Sequence, residues 1–205
     1  MAKKWSWFLI VALAIIVGIY PLIYFFIDRK FGLLGTKSNE LLTNTFWNIG
    51  FYTHILSAGV SLLLGWTQFS IKRRLQNVAL HRNRGKIYVA SSLLSSITGV
   101  YIGFFATGGL VSSLGFICLG AVWFYTTLMA YINIRNNKID EHRKMMIFSY
   151  AACLAGVTLR IWLPILTFLI GDSAMAYKVD AWMCWIPNII VAYIITRHRP
   201  VIYRN

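Results

Sequence analysis

MMIFSYAACLAGVTLRIWLPILTFLI, residues 145–170, is a run of 26 positions in which a single residue, Arg160, carries a charge. About 20 apolar residues make one helical crossing of a bilayer, so the stretch reads as a transmembrane helix. A guanidinium in hydrocarbon costs at least several kcal/mol, roughly 2.5–3.5 even on lenient insertion scales, and so must face a partner, a cavity or a ligand. The rest of the chain decides where that arginine sits and what can reach it.

Working outward, five further windows have comparable apolar length: Trp5–Ile27, Phe46–Ser70, Ile87–Ala106, Val111–Ile134 and Ala181–Thr196. The chain is 58% hydrophobic and 13% charged over 205 residues, too little polar surface for a soluble domain. The expected fold is all-α: residues 1–205 as a single membrane domain with six transmembrane helices, at about 5–27, 46–70, 87–106, 111–134, 145–170 and 181–196. The short turn Thr107-Gly108-Gly109-Leu110 makes the third and fourth spans an antiparallel hairpin. Lys3-Lys4 ahead of the first run looks like a signal peptide, but the run is too long and no small-x-small site closes it. It reads as a retained signal anchor.

The net charge of +14 follows this topology. Fifteen basic residues, among them Arg82, Arg84, Arg135, Arg143 and Arg197, fall on one side of the expected spans, and four (Arg29, Lys30, Lys37 and Lys178) on the other. An excess of Lys and Arg marks the cytoplasmic side, so both termini are expected there, in a multi-pass inner-membrane protein. Basic residues gathered between apolar runs do not form a nucleic-acid groove, and no nucleic-acid partner is expected. Within Ile71–Gly85, the residues Ile71, Leu75 and Val78 have helical spacing among these cations, as in a segment lying on anionic lipid headgroups. Cys118, Cys153 and Cys184 lie within apolar runs without metal spacing and read as small buried hydrophobes.

Depth can be compared between spans at ~1.5 Å per helical residue. His54, Arg160 and Asn188 then fall in the same outer layer, with Trp182, Trp185 and Pro187 close to Asn188. The six acidic residues are all expected in loops or at span ends, so none joins this layer. On the second span His54, Ser57, Ser61, Gly65 and Gln68 share one helical face, more polar than packing needs. The third span repeats Ser91, Ser95, Gly99 and Gly103 at the spacing of a close helix contact. The expected ligand site is an outward pocket around His54, Arg160 and Asn188, with Gln68 and Trp185. The alternative is a hydrogen-bond network that satisfies the arginine structurally.

A second constellation lies at the inner face. His81-Arg82 and His142-Arg143 each precede a span that runs inner to outer. Two such imidazoles can hold a haem b, with His54 as a further candidate, and Met145 and Met146 would suit copper. Contact with headgroups is the competing role. Nucleotide-binding glycine loops and hydrolase motifs are missing, as are paired intramembrane carboxylates. Enzymatic activity is left open. Three functions therefore compete: a haem or metal redox protein, a transporter or binding protein for a small molecule or anion, and a non-catalytic subunit or scaffold that packs against a partner span or a second copy.

The motif string Gly65-x-x-Gln68-Phe69, His81-Arg82-x-x-Gly85-Lys86-x-Tyr88-Val89, Trp123-x-Tyr125-Thr126-Thr127, His142-Arg143-x-Met145-Met146-x-x-Ser149-Tyr150, Thr158-Leu159-Arg160 and Trp185-x-Pro187-Asn188 resembles the bacterial membrane proteins grouped as domain of unknown function 2306. The resemblance covers roughly residues 46–195. It implies a polytopic membrane protein and no defined chemistry; the family pattern usually has Trp where this chain has Lys144 or Met145, a minor departure.

Overall fold

The computed structural model describes residues 2–26 and 32–197, and every element among them is helical. Ile27, Asp28, Arg29, Lys30 and Phe31, as well as His198 and the basic tail after it, lie outside the described residues. In chain order the longer helices are α1 (Ala2–Ile19), α2 (Asn39–Thr43), α3 (Thr45–Gly65), α4 (Ile71–Gln76), α5 (Val78–Gly103), α6 (Leu110–Arg135), α7 (Ile139–Cys153), α8 (Ala155–Ile170), α9 (Ser173–Met183) and α10 (Ile186–Arg197). Tight 3₁₀ turns cover Tyr20–Phe25, Gly32–Thr36 and Trp66–Phe69.

Among the described residues five segments are long and apolar enough to cross a membrane: Trp7–Phe25, Thr45–Phe69, Leu110–Arg135, Ile139–Ile170 and Ser173–Arg197. The expected third span falls in α5, which has ample length at 26 residues but is not among them. Its centre is hydroxylic: Ser92, Ser95 and Ser96 are fully buried, and Ser91 is partly so.

Those hydroxyls join α5 to α3. Ser61 Oγ lies 2.8 Å from Ser91 Oγ, Ser92 Oγ donates to Ser61 Oγ at 3.0 Å, and Ser95 Oγ donates to the His54 carbonyl at 3.1 Å. The small-residue stripes thus pack and hydrogen-bond at once, each interhelical bond contributing on average about 0.6 kcal/mol. α5 also packs on α6 and α6 on α7, while Tyr88, Ser149 and Thr127 tie α5, α7 and α6 together through contacts of 2.8 and 2.7 Å. α1 closes the ring against α3 and α8. It comes close because Gly59 lacks a side chain: a Cβ there would lie 2.5 Å from the Gly18 carbonyl oxygen.

The last two of these segments, Ile139–Ile170 and Ser173–Arg197, are both broken. Leu154 separates α7 from α8, and Cys184-Trp185 separates α9 from α10. Pro187 has no N–H and Pro164 none either, which leaves the carbonyls of Met183 and Arg160 without their helical donors. Side chains fill the second break. Thr158 Oγ1 and Asn188 Nδ2 both donate to the Cys184 carbonyl, and Asn188 Nδ2 also reaches Thr158 Oγ1 at 3.1 Å and the Ala151 carbonyl at 3.3 Å.

The bundle has two distinct ends. At one, here the basic end, lie α4, the start of α5 and the α6–α7 connector. At the far end the loop before α2 meets the α5–α6 turn, Thr36 Oγ1 lying 3.0 Å from Thr107 Oγ1 and Lys37 Nζ donating to the Phe105 carbonyl.

Candidate functional site

A cavity of about 240 Å³ occupies the middle of the bundle, reaching from Leu34 and Lys37 at the far end down to Leu62 and Trp123. α1, α3, α5, α6, α8 and α9 all contribute to its wall, which is mainly apolar and aromatic. Its polar side chains are few: Arg160, Lys37, His54 and Ser96, with Tyr24, Tyr177 and Trp47. Among the described residues no carboxylate lines it.

Arg160 projects from α8, ten residues before the helix ends at Ile170, or ~15 Å in. Its Nη1 donates to the Gly156 carbonyl at 2.7 Å and its guanidinium carbon stands 4.6 Å from the Tyr20 ring centroid. A guanidinium has five N–H donors, so this geometry uses only part of its capacity. Among the described residues the ion pairs are Arg143–Asp140 and Lys144–Glu141, both within α7, and neither involves Arg160.

His54 stands nine residues into α3, ~13 Å from its start. Its Nδ1 is 2.8 Å from the Ser95 carbonyl oxygen. A carbonyl only accepts, so Nδ1 carries the proton and Nε2 is the nitrogen left for other chemistry. The ring lies against Gly99, where a Cβ would meet Cε1 at 2.9 Å, so α5 can approach closely only with glycine there.

Sequence reading missed two members of this wall. Lys37 counted only as one of the few basic residues on the far side; the 3₁₀ turn Gly32–Thr36 folds it back over the cavity mouth. Burial pushes its ammonium down from an ordinary 10.5 to about 8. Trp47 is 2% exposed, and its indole N–H has no acceptor among the described residues. Its place in the first turn of the second span, beside His54 on the cavity side, was the signal available.

The structure brings His54 and Arg160 together on this cavity and sets the other expected site residues elsewhere. Asn188 is engaged in bridging the α9–α10 break and is not part of the wall. Trp185 is buried, its Nε1 donating to the Ala181 carbonyl at 3.0 Å. Gln68 donates to Thr67 Oγ1 at 3.2 Å and faces a smaller pocket at the basic end, together with His81. His142 donates from Nδ1 to the Ala130 carbonyl at 2.8 Å. His81 and His142 share the basic end closely enough for their charges to interact. Among the described residues no three His, Cys, Asp or Glu side chains gather as metal ligands do, and Met146 is packed into the core.

One expectation is corrected. Asp180 is not at a span end: the sixth segment starts at Ser173, eight residues before the expected Ala181, so Asp180 lies inside α9, fully buried, neither carboxylate oxygen having a hydrogen-bond partner. It sits ~10 Å below the start of its helix, at a depth similar to His54, but does not line the cavity.

These features define an all-helical, multi-pass membrane protein with a polar-tipped internal cavity. Residues 51–196 match the family of predicted membrane proteins known as domain of unknown function 2306, and the chain belongs to that family. Searches of curated proteins and of solved structures returned no match.

Proposed function

We propose that the protein is a binding or transport protein for a small amphipathic anion, whose acidic head is held by Arg160 and Lys37 while its apolar body lies among the aromatic walls. The observation that carries this reading is the wall's electrostatic imbalance among the described residues: two cations and an indole N–H without an acceptor, no carboxylate, and an arginine with spare donors. Arg binds carboxylate and phosphate in forked geometry, and a low-dielectric surrounding strengthens the pair. His54 Nε2 adds a group able to accept or release a proton beside the head. The volume, below the roughly 300–1,000 Å³ of drug-sized sites, suits a compact ligand.

In this reading α5 crosses the membrane with the five apolar segments, giving six spans. Both chain ends and the basic connectors then face the cytoplasm across an inner membrane, and the cavity opens outward. The distribution of Lys and Arg supports that orientation.

The test uses protein in nanodiscs and n-alkyl carboxylates and n-alkyl phosphates of graded length, with the matching alcohols as neutral controls. Acids are expected to raise the unfolding temperature where alcohols do not, and Arg160→Ala to abolish the difference. Equal stabilisation by acid and alcohol would remove the basis of the reading. The competing redox assignment to His81 and His142 is decided on the same preparation by its absorption spectrum, which would have to carry a Soret band lost in His142→Ala.

A further inference from the structure

A second pocket, of about 120 Å³, lies at the basic end where the 3₁₀ turn after α3, the end of α4 and the first turns of α5 meet. Thr67, Gln68, Gln76, Asn77, His81 and Arg84 line it with donors of several kinds. No carboxylate is among the lining residues. Arg74 and Arg82 are close enough for their charges to act on the His81 imidazole, so the positive field extends beyond the wall itself. The two acidic residues at this end, Asp140 and Glu141, are already paired with Arg143 and Lys144 on α7, at 3.5 and 3.1 Å. Among the described residues no ion pair engages Arg74, Arg82 or Arg84.

Shape adds a second, independent observation. Asn77 Oδ1 caps α5 by accepting from Leu80 N at 2.8 Å, and the extended backbone of Asn77 separates α4 from α5. Apolar side chains adjoin this polar pocket: Leu80 lines it and is 43% exposed, and Leu75 and Val78, next in the chain to its residues Gln76 and Asn77, are 72% and 46% exposed. A dissolved anion has no use for such side chains. A molecule with a phosphate head and hydrocarbon tails does, since cations at the interface hold the head while exposed Leu and Val meet acyl chains.

We propose that this pocket binds one phosphate group, that of an anionic phospholipid, with Arg84 as the principal contact, His81 and the amides of Gln68 and Gln76 completing the cradle, and Leu75, Val78 and Leu80 against the acyl chains. The site is separate from the central cavity and does not depend on what that cavity holds. It gives the basic end a discrete lipid in place of a diffuse attraction to the membrane surface.

Native mass spectrometry of the detergent-solubilised protein tests the proposal with phosphatidylglycerol and phosphatidylcholine as probes. One phosphatidylglycerol is expected to remain bound at concentrations where phosphatidylcholine does not. Arg84→Gln is expected to weaken that adduct at least tenfold, whereas Arg135→Gln, an exposed arginine at the same end but outside the pocket, leaves it intact. Inorganic phosphate forms the third arm: failure to displace the lipid at millimolar concentration supports a lipid site, and full displacement would show a site for free phosphate and overturn the lipid assignment. Equal losses in the two arginine variants, or equal retention of both lipids, would also overturn it by reducing the effect to general surface charge. Circular dichroism of each variant confirms that the helices persist, and Arg84→Lys, which keeps the charge, is expected to recover part of the binding.

Discussion

Replacing Arg160 by alanine separates a ligand contact from a structural one, because its effects on the empty protein nearly cancel. The change removes the hydrogen bond from Nη1 to the Gly156 carbonyl, worth about 1.5–3 kcal/mol for a charged donor. It also removes the contact with the Tyr20 ring at 4.6 Å, worth about 0.5–2 kcal/mol. Against these stands the relief of a charge without a carboxylate partner, roughly 2.5–3.5 kcal/mol near a span centre. Gly156 loses only a second bond on a carbonyl within a helix, so nothing is orphaned. The net change in stability should stay within about 1–2 kcal/mol. Binding of an alkyl carboxylate should suffer far more. A charge-assisted bond lost from a desolvated site costs about 2–3 kcal/mol, roughly 30- to 160-fold in Kd. Isothermal titration in nanodiscs reads the second quantity, and chemical unfolding of the same samples the first. A variant that binds the acids as wild type does, or one whose stability drops by more than about 4 kcal/mol, would refute the assignment; the latter would make Arg160 a structural residue.

Three further outcomes are expected. Lys37 has its pKa lowered to about 8 in the folded protein from an ordinary 10.5, so the unfolded chain binds more protons between those values. Stability should therefore rise with pH through that window, while anion affinity falls as the ammonium discharges above about pH 8, and Lys37→Gln should flatten both profiles. Gly59→Ala pushes a methyl against the Gly18 carbonyl at 2.5 Å; we expect about 1–3 kcal/mol of destabilisation and weaker protection of α1 in hydrogen exchange. Asn188→Ala removes donors to Cys184, Thr158 and Ala151. It should cost about 1–3 kcal/mol yet leave alkyl carboxylate affinity unchanged, and an equal loss of affinity would return Asn188 to the binding site.

Much of this arrangement is legible in the sequence because the bilayer imposes so few choices. The lone Arg160 in residues 145–170 announced a polar interior, and counting helical rise placed His54 at nearly its depth on another helix. Depth, however, says nothing about azimuth. Asn188 lies at the right height but turns toward the α9–α10 break, because a backbone interrupted before Pro187 needs donors there more than a cavity does. Asp180 was hidden for a different reason. Residues 173–180 include Ser, Lys and Asp, which pull a hydropathy window below the threshold, although the helix itself continues through them. α5 shows the converse: its serines lower its hydropathy, and only the matching serine face on α3 explains how such a helix is accommodated. Lys37 was invisible as a wall residue since no periodicity predicts how a loop folds back over a bundle.

The serine contacts between α3 and α5 bear on how the chain is made. Alone in hydrocarbon, α5 would keep the bonds from Ser91 and Ser96 to the Tyr88 and Leu93 carbonyls but lose the contacts of Ser91, Ser92 and Ser95 with α3. α3 emerges from the ribosome first and carries Ser57 and Ser61 on the face that α5 will meet. In the six-span reading proposed above, α5 therefore depends on the α3 face that precedes it in the chain for its place in the bundle. Loss of the Ser61 hydroxyl would remove its contacts with both Ser91 and Ser92 at once, so a single defect on α3 is felt at two positions of the later helix.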